Sequence, residues 1–335
     1  MLTLACMSYL SASQKYLFAV NLEIKEGLDL KIENDILSVE MAGIFLENPL
    51  ILASGFLGIS LAVFERIHNE GAGAVVSKSI SRYPMEGYRN PTVVVLDNKS
   101  YVNAVGLSNP GYEYFYEEIQ MNKKVPLMVS LVGSDPSDYE VMTSKLEKSK
   151  ILGFEINLSC PHVKKLGMEV GDDPQMVESI VKATKSNTTK PVFVKVGIGN
   201  ANLLDVSRAA IKAGADGITA INTIRAMKIS IDNFVPILSN KIGGLSGASI
   251  KPIAVRCVYE LSKEFSVPII GCGGIFDWED AVEFIIAGAT SFQVGTAIGV
   301  NGMGVFNSIK SGIVKYLERK GYQSVMELIG RSHEY

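Results

Sequence analysis

Residues 192–221 read VFVKVGIGNANLLDVSRAAIKAGADGITAI and contain the pattern that decides the fold. A short apolar run at 192–196 is followed by an amphipathic segment at 203–213, which ends at Gly214, and then by a second apolar run at 217–221. Strands buried on both faces read as continuous apolar runs, and a helix between two such strands is typical of a parallel βαβ unit. Glycine after the amphipathic segment is a usual helix stop.

The same alternation extends over most of the chain. Strands are predicted at 50–53, 74–77, 127–131, 154–158, 192–196, 217–221, 269–271 and 292–295, and helices at 138–149, 174–186, 203–213, 251–265 and 278–287. Eight βα units favour an α/β fold of the closed (β/α)8 type, a TIM barrel, over an open doubly wound sheet, which usually has fewer strands. Two long insertions, 79–111 and 222–247, interrupt this alternation. Insertions that follow barrel strands lie at the end of the barrel that carries the active site.

Composition limits the choice of partner and compartment. The chain has 335 residues, of which 47% are hydrophobic, and a net charge of −3. This length suits one barrel at 37–335 preceded by an extension at 1–36. We expect a protein that lacks the extension to remain active. The weak acidity predicts no nucleic-acid partner, and no apolar run is long enough to cross a membrane. Scattered cysteines without a C-x-x-C pair predict no metal site and reduced thiols in the cytoplasm.

Polar residues stand at the ends of successive predicted strands. Lys78, Ser130, Asn157 and Lys195 end or follow the second to fifth strands, and the pair Asn222-Thr223 follows the sixth. The carboxyl ends of barrel strands converge on the face where active sites of this fold are built. A single polar residue at a strand end is unremarkable, but a succession of them predicts a catalytic site.

Glycine clusters mark the remaining strands. They occupy 243–247, 271–274 and Gly295-Thr296, close to the seventh and eighth predicted strands. Glycine lets backbone N–H groups approach a phosphate closely, and the last two strands carry the usual phosphate site of a TIM barrel. One such cluster would be weak evidence, but three on neighbouring loops favour a phosphate-bearing cofactor.

Cys160 differs from the other cysteines in its surroundings. It lies just past the fourth strand, between polar neighbours and Pro161, which prevents a helix there. A thiol with an ordinary pKa of ~8.5 can accept a proton near neutral pH where its surroundings favour the thiolate. Cys6, Cys257 and Cys272 are expected to be small buried residues. Lysines at the second and fifth strands suggest that the cofactor is a flavin, since an ammonium stabilises the negative charge gained near N1 on reduction.

Several segments resemble the dihydroorotate dehydrogenases in order and spacing. They are 103–111 (NAVGLSNPG), 157–161 (NLSCP), 221–223 (INT) and 243–247 (GGLSG), and the likeness extends from about residue 37 to about residue 299. In that family the soluble branch uses cysteine as the base, whereas the membrane-associated branch uses serine. Cys160 therefore resembles the soluble branch.

The resemblance implies a reaction and a role for each matching position. Cys160 would take the C5 proton of dihydroorotate while FMN accepts hydride from C6, in pyrimidine biosynthesis. The substrate would be held by Lys78, Asn103, Gly106, Leu107, Asn157, His162, Asn222 and Thr223. FMN would be held by Ser54, Lys78, Ser79, Ser130, Asn157, Lys195, Ile221, Gly247, Gly273, Gly274, Gly295 and Thr296. Amide side chains suit a dihydropyrimidine ring because each offers both a donor and an acceptor.

The chain also departs from the family pattern, and the departures leave alternatives open. His162 and Ser130 stand where asparagine is common, and Cys160-Pro161-His162 also resembles dihydropyrimidine dehydrogenases, whose substrates lack the carboxylate. An RNA dihydrouridine synthase should show a basic surface that this acidic chain does not indicate, and a flavin-binding scaffold without activity would leave Cys160 without a use.

The electron acceptor is a separate question. Val163 and Lys164 complete a Cys-Pro-x-Val-Lys pattern that resembles the branch using a partner subunit with FAD and an iron–sulfur cluster. The chain has no cluster motif or dinucleotide fingerprint of its own, so NAD reduction would need that partner, and fumarate or a quinone stays open. The resemblance also implies a homodimeric core.

Overall fold

The computed structural model describes residues 36–158 and 170–334. The strands in chain order are β1 (Val39–Met41), β2 (Ile44–Leu46), β3 (Leu50–Leu52), β4 (Ala74–Val76), β5 (Val93–Leu96), β6 (Ser100–Asn103), β7 (Leu127–Leu131), β8 (Gly153–Asn157), β9 (Val192–Val196), β10 (Gly217–Ala220), β11 (Ile224–Ala226), β12 (Ile229–Ser230), β13 (Val235–Pro236), β14 (Gly243–Gly247), β15 (Ile269–Cys272) and β16 (Ser291–Val294). The helices are α1 (Leu61–Asn69), α2 (Tyr112–Ile119), α3 (Pro136–Leu146), α4 (Pro174–Lys185), α5 (Leu203–Lys212), α6 (Lys251–Glu264), α7 (Trp278–Ile286), α8 (Thr296–Asn301) and α9 (Val305–Lys320).

Eight parallel strands close into a barrel in the order β3-β4-β7-β8-β9-β10-β15-β16. The last strand pairs with the first, with Val294 opposite Leu52, and this pairing completes the ring. The predicted (β/α)8 barrel is therefore confirmed, and each of the eight predicted strands overlaps a barrel strand. The prediction worked because both faces of a barrel strand are buried, so most of its residues are apolar.

Each of the five predicted helices overlaps one of α3 to α7, although α3 spans Pro136–Leu146 where 138–149 was predicted. Asp135 and Asp173 cap α3 and α4 by accepting hydrogen bonds from backbone N–H groups of the first turn, and each is followed by proline. Gly214 and Gly288 follow α5 and α7 with φ angles of +103° and +117°, which side chains rarely tolerate. No helix in 36–158 or 170–334 is long and apolar enough to span a membrane.

The main core lies between the barrel and its helices and includes the hairpin β1–β2. Leu37 and Met41 are buried, and Ile36 packs against the same core. The rest of the predicted extension, residues 1–35, lies outside the described residues. The boundary predicted between residues 36 and 37 therefore stays a prediction.

The two insertions meet over the barrel as one antiparallel sheet, in the order β11-β14-β6-β5. A small core of Val102, Ala104 and Leu238 supports it. The segment 243–247 was predicted as a glycine-rich loop but forms the strand β14. Its glycines permit close approach to the neighbouring chain, because a Cβ on Gly243 would lie 2.5 Å from the Asn103 carbonyl oxygen.

Candidate active site

A cavity of about 580 Å³ opens between the carboxyl ends of the barrel strands and the inserted sheet. This is the size of an ordinary small-molecule site. The predicted residues that line it are Ser54, Lys78, Ser79, Asn103, Gly106, Leu107, Asn157, Lys195, Ile221, Asn222, Thr223, Gly247, Gly273, Gly274, Gly295 and Thr296. Residues far apart in the chain therefore share one wall because all follow parallel strands or lie on the inserted sheet above them.

Among the described residues, one predicted site residue is missing from that wall. Ser130 is fully buried behind it, and its hydroxyl reaches the cavity only through a 2.9 Å hydrogen bond with the hydroxyl of Ser79. Cys160 and His162 lie outside the described residues. Ser130 is therefore placed to support the cavity wall and not to contact a ligand.

A chain of side-chain hydrogen bonds orients the asparagines at the cavity. Asn222 Nδ2 donates to Asn157 Oδ1 at 3.0 Å, and Asn157 Nδ2 donates to Ser79 Oγ at 2.9 Å. Each amide is held by its neighbour, so the positions of its oxygen and nitrogen are set before a ligand binds. Such preorganised amides suit a ring that presents both donors and acceptors.

Lys195 crosses the barrel interior from β9. Its Nζ donates to Gln293 Oε1 at 2.7 Å and to Ser54 Oγ at 3.2 Å, and it lies 3.8 Å from Glu155 Oε1. Burial alone would lower the pKa of Lys195, but the hydrogen bond of its ammonium with Cys272 and the carboxylate of Glu155 act the other way, and its pKa is raised. Lys195 therefore presents a fixed positive charge at the cavity.

Sequence reasoning missed the polar residues that surround Lys195. Glu155, Thr219 and Gln293 are all buried and belong to β8, β10 and β16. The available signal was a polar residue inside an otherwise apolar strand, such as Glu155 between Phe154 and Ile156. A buried carboxylate is rarely placed without a partner.

Lys78 differs from Lys195 because its surroundings do not raise its pKa. Burial lowers the pKa of Lys78 from the ordinary lysine value, so its ammonium would gain from a negatively charged ligand. Lys78 lines the same cavity as Asn103 and Leu107. This arrangement can bind a small polar anion.

The segment that carries Gly106 and Leu107 is shaped by Asn109. Its Oδ1 accepts from the N–H groups of Ser81 and Gly111 at 3.1 and 2.9 Å, and its Nδ2 donates to the Leu107 carbonyl at 2.7 Å. Gly106 and Leu107 both have positive φ angles, +76° and +58°. The buried amide of Asn109 therefore holds a turn that the backbone would not adopt readily.

The glycine positions form a cradle that side chains would fill. A Cβ on Gly274 would lie 2.7 Å from Lys251 Cβ and 2.9 Å from the Gly247 carbonyl oxygen. Gly247, Gly273 and Gly274 have φ angles of +93°, +132° and +80°. Beside them, Thr296 Oγ1 donates to Ser246 Oγ at 3.0 Å. Such a surface of exposed backbone and hydroxyls fits a phosphate.

Of the two cysteines among the described residues, one matches its prediction and the other does not. Cys257 is fully buried, as predicted, and burial raises its pKa to about 11. Cys272 was also predicted to be a buried structural residue, but it lines the cavity next to Lys195, and that prediction was wrong. Burial raises the pKa of the Cys272 thiol, so it is protonated near neutral pH. Cys6, like Cys160, lies outside the described residues.

Comparison with known proteins gives a consistent result. Residues 36–317 match the family model described as dihydroorotate dehydrogenase. The catalytic subunit of dihydroorotate dehydrogenase B (NAD(+)) from Pyrococcus horikoshii is 48% identical over 295 residues, which cover 88% of this chain and 97% of that protein. The proteins of the same name from Methanosarcina acetivorans and Thermoplasma acidophilum are 42% and 44% identical, over 88% of this chain and 95% and 98% of theirs.

Proposed function

Because this chain belongs to the dihydroorotate dehydrogenase family, we propose that it oxidises dihydroorotate to orotate in pyrimidine biosynthesis, with FMN as its bound cofactor. The observation that carries the proposal is a cavity that brings together a charged lysine, oriented amides and a glycine cradle. These are the groups that a flavin, its phosphate and a dihydropyrimidine ring require.

FMN fits the polar and backbone groups of the wall. Lys195, Ser54 and Ile221 would face the isoalloxazine ring, and the positive charge of Lys195 would stabilise the reduced form. Its phosphate would be bound at Gly247, Gly273, Gly274, Gly295 and Thr296, where positive φ angles and close packing exclude side chains at three of the glycines. Bound FMN would supply the two-electron acceptor for the hydride that leaves C6 of the substrate.

Dihydroorotate would lie against the amide side of the cavity. Lys78 would pair with its carboxylate, and Asn103, Asn157, Asn222 and Thr223 would bind the ring amides. The hydrogen bond from Asn157 to Ser79, and that from Asn222 to Asn157, fix which atom of each amide faces the ring. Gly106 and Leu107 would close the other side, which excludes water from the reacting carbons.

Cys160 is our proposed base. In the sequence it stands two residues after Leu158, the last described residue that follows β8. We propose that its thiolate removes the C5 proton. Replacing Cys160 with alanine should leave FMN absorbance intact and abolish turnover, whereas undiminished turnover would remove the assigned base.

The electrons must then leave the flavin. The related proteins are named as catalytic subunits of NAD(+)-dependent enzymes, and we therefore propose NAD as the final acceptor, reached through a second subunit that carries FAD and an iron–sulfur cluster. We further propose a homodimer of this chain as the core, working in the cytoplasm. Co-expression with the candidate second subunit should give a complex that reduces NAD, which the isolated chain should not do.

The test of substrate class needs only the isolated chain. FMN-loaded protein is mixed under anaerobic conditions with dihydroorotate or, separately, with dihydrouracil. We expect rapid loss of the yellow absorbance with dihydroorotate alone, because the carboxylate pairs with Lys78. Bleaching by dihydrouracil alone would favour a dihydropyrimidine dehydrogenase, as the sequence Cys160-Pro161-His162 allows. Absence of bound flavin would refute the proposal.

A further inference from the structure

A buried carboxylate lies directly behind Lys195, on the side away from the cavity. Glu155 is 0% exposed, and its Oε1 lies 3.8 Å from Lys195 Nζ. Its Oε2 accepts from Thr219 Oγ1 at 3.1 Å and from Gln293 Nε2 at 2.5 Å. Oε1 has no hydrogen-bond partner among the atoms of the described residues, and it faces the ammonium.

Gln293 links the two charged groups. Its Oε1 accepts from Lys195 Nζ at 2.7 Å, while its Nε2 donates to Glu155 Oε2. The lysine, the glutamine and the carboxylate come from β9, β16 and β8, so three barrel strands hold one network. Rigid strands keep such a network in a single geometry more strictly than loops do.

A buried carboxylate is costly, and its retention calls for a use. Removing a carboxylate from water is unfavourable even when a cation stands nearby, and an apolar side chain of the same size is often no less stable at such a position. Glu155 is therefore better explained by what it does to Lys195 than by its contribution to folding.

We propose that Glu155 is a positioning residue for the flavin reaction: it keeps Lys195 protonated in both oxidation states of the cofactor, so that reduction does not draw a proton onto the lysine. This inference rests on the proposed function, because Lys195 acts on a flavin only if one is bound. Glu155 does not line the cavity and would act through Lys195.

The other groups around Lys195 do not provide the same charge. The titratable side chains that face it from the described residues are Glu155 on β8 and Cys272 on β15, while Gln293 and Ser54 are neutral. Burial raises the pKa of the Cys272 thiol, which keeps the thiol protonated near neutral pH. Glu155 then supplies the negative charge that opposes the effect of burial on Lys195.

The consequence can be measured as protons. Without the carboxylate, burial lowers the pKa of Lys195, and part of the oxidised protein holds the lysine neutral. Reduction places negative charge near N1 of the flavin, which would draw a proton back onto Lys195. A Glu155→Gln variant should therefore take up more protons per two electrons than the wild type, by up to one, and its midpoint potential should depend more steeply on pH.

The experiment measures the midpoint potential of protein-bound FMN against pH in the full chain. Glu155→Gln is compared with Thr219→Val, which removes a hydrogen bond to the same carboxylate but keeps its charge, and with Cys272→Ala, which removes the other titratable group. We expect the steeper dependence in Glu155→Gln alone. The same slope in Glu155→Gln and the wild type, or a steeper slope in Cys272→Ala, would overturn the inference.

Two further variants keep the test decisive. In Glu155→Gln with Lys195→Met, both charges are gone, and the slope should return to the wild-type value; a persistent change would show that Glu155 acts on the flavin directly and overturn the inference. If Glu155→Gln does not fold, Gln293→Met takes its place, because it removes the side chain that links Lys195 to Glu155. The potential of this variant should depend on pH more steeply than that of the wild type, by less than expected for Glu155→Gln, and an unchanged slope would overturn the inference. Wild-type protein that binds no FMN would instead refute the proposed function.

Discussion

Replacing Gly274 with alanine should weaken FMN binding by an amount that the packing around this residue sets. Gly274 has a φ angle of +80°, and an L-residue in that region costs about 1–2 kcal/mol. The new Cβ would also lie 2.7 Å from Lys251 Cβ and 2.9 Å from the Gly247 carbonyl oxygen. Overpacking of this kind costs about 1–3 kcal/mol, so the two effects together come to about 2–5 kcal/mol.

The neighbours cannot easily move aside. Lys251 is held by ion pairs to Asp280 at 2.6 Å and to Glu283 at 2.8 Å, and the Gly247 oxygen belongs to the backbone. The 273–274 turn must therefore shift away from Lys251, which moves its amides from the positions in which we propose that they bind the phosphate. A loss of about 2 kcal/mol corresponds to roughly 30-fold weaker binding, and that is the least effect we expect.

The assay is titration of the flavin-free protein with FMN, followed by flavin fluorescence, together with urea unfolding. Gly302→Ala is the matched control, because Gly302 has a φ angle of +72° but a Cβ added there would meet nothing within 4 Å. The control should lose about 1–3 kcal/mol of unfolding free energy, because its φ and ψ angles of +72° and −178° are almost exclusive to glycine, and it should keep its FMN affinity. If Gly274→Ala bound FMN as tightly as the wild type, the assignment of this turn to the phosphate would be refuted.

Two further predictions concern the substrate side. Asn109→Ala leaves buried backbone groups unsatisfied, so it should lose about 1–3 kcal/mol of unfolding free energy and raise KM for dihydroorotate, whereas the matched control Asn122→Ala should lose a similar amount with KM unchanged. Burial lowers the pKa of Lys78, so the charge of its ammonium destabilises the folded state at neutral pH. This destabilisation disappears as pH rises from the lowered pKa of the folded state towards the pKa of lysine in the unfolded chain. Lys78→Met should therefore unfold at a higher urea concentration than the wild type at pH 7, and it should bind the substrate less tightly. In the wild type, kcat/KM should fall as pH rises through the lowered pKa of Lys78. If kcat/KM of the wild type did not fall at alkaline pH, the role of Lys78 would be contradicted.

Much of the site could be predicted because barrel topology converts chain order into position. Lys78, Asn157, Lys195 and Asn222 were expected together only because each stands at the end of a parallel strand, and the structure brings them to one cavity. Ser130 satisfied the same rule, but its side chain is buried behind the wall. Position along a strand therefore predicts the end of the barrel at which a residue lies, but not which way its side chain points.

The residues that sequence reasoning missed share a physical cause. Glu155 and Gln293 stand inside apolar strands, where a polar residue gives no indication of its partner. These two residues lie 138 positions apart in the chain and meet only because the eighth barrel strand closes on the first. Cys272 was wrongly predicted to be a small buried residue for a related reason. Its neighbours in the sequence are glycines, and only the tertiary structure shows the cavity beside it.

The sequence by itself determined the architecture and the catalytic end of the molecule, because buried strands must be apolar, helices need their caps, and loops after barrel strands converge. Only the tertiary structure decided that 243–247 is a strand, that Ser130 supports Ser79, and that Lys195 is paired with Glu155 through Gln293. Those relations depend on side-chain direction and on contacts between distant strands. Local composition does not encode them, because they arise when the barrel closes.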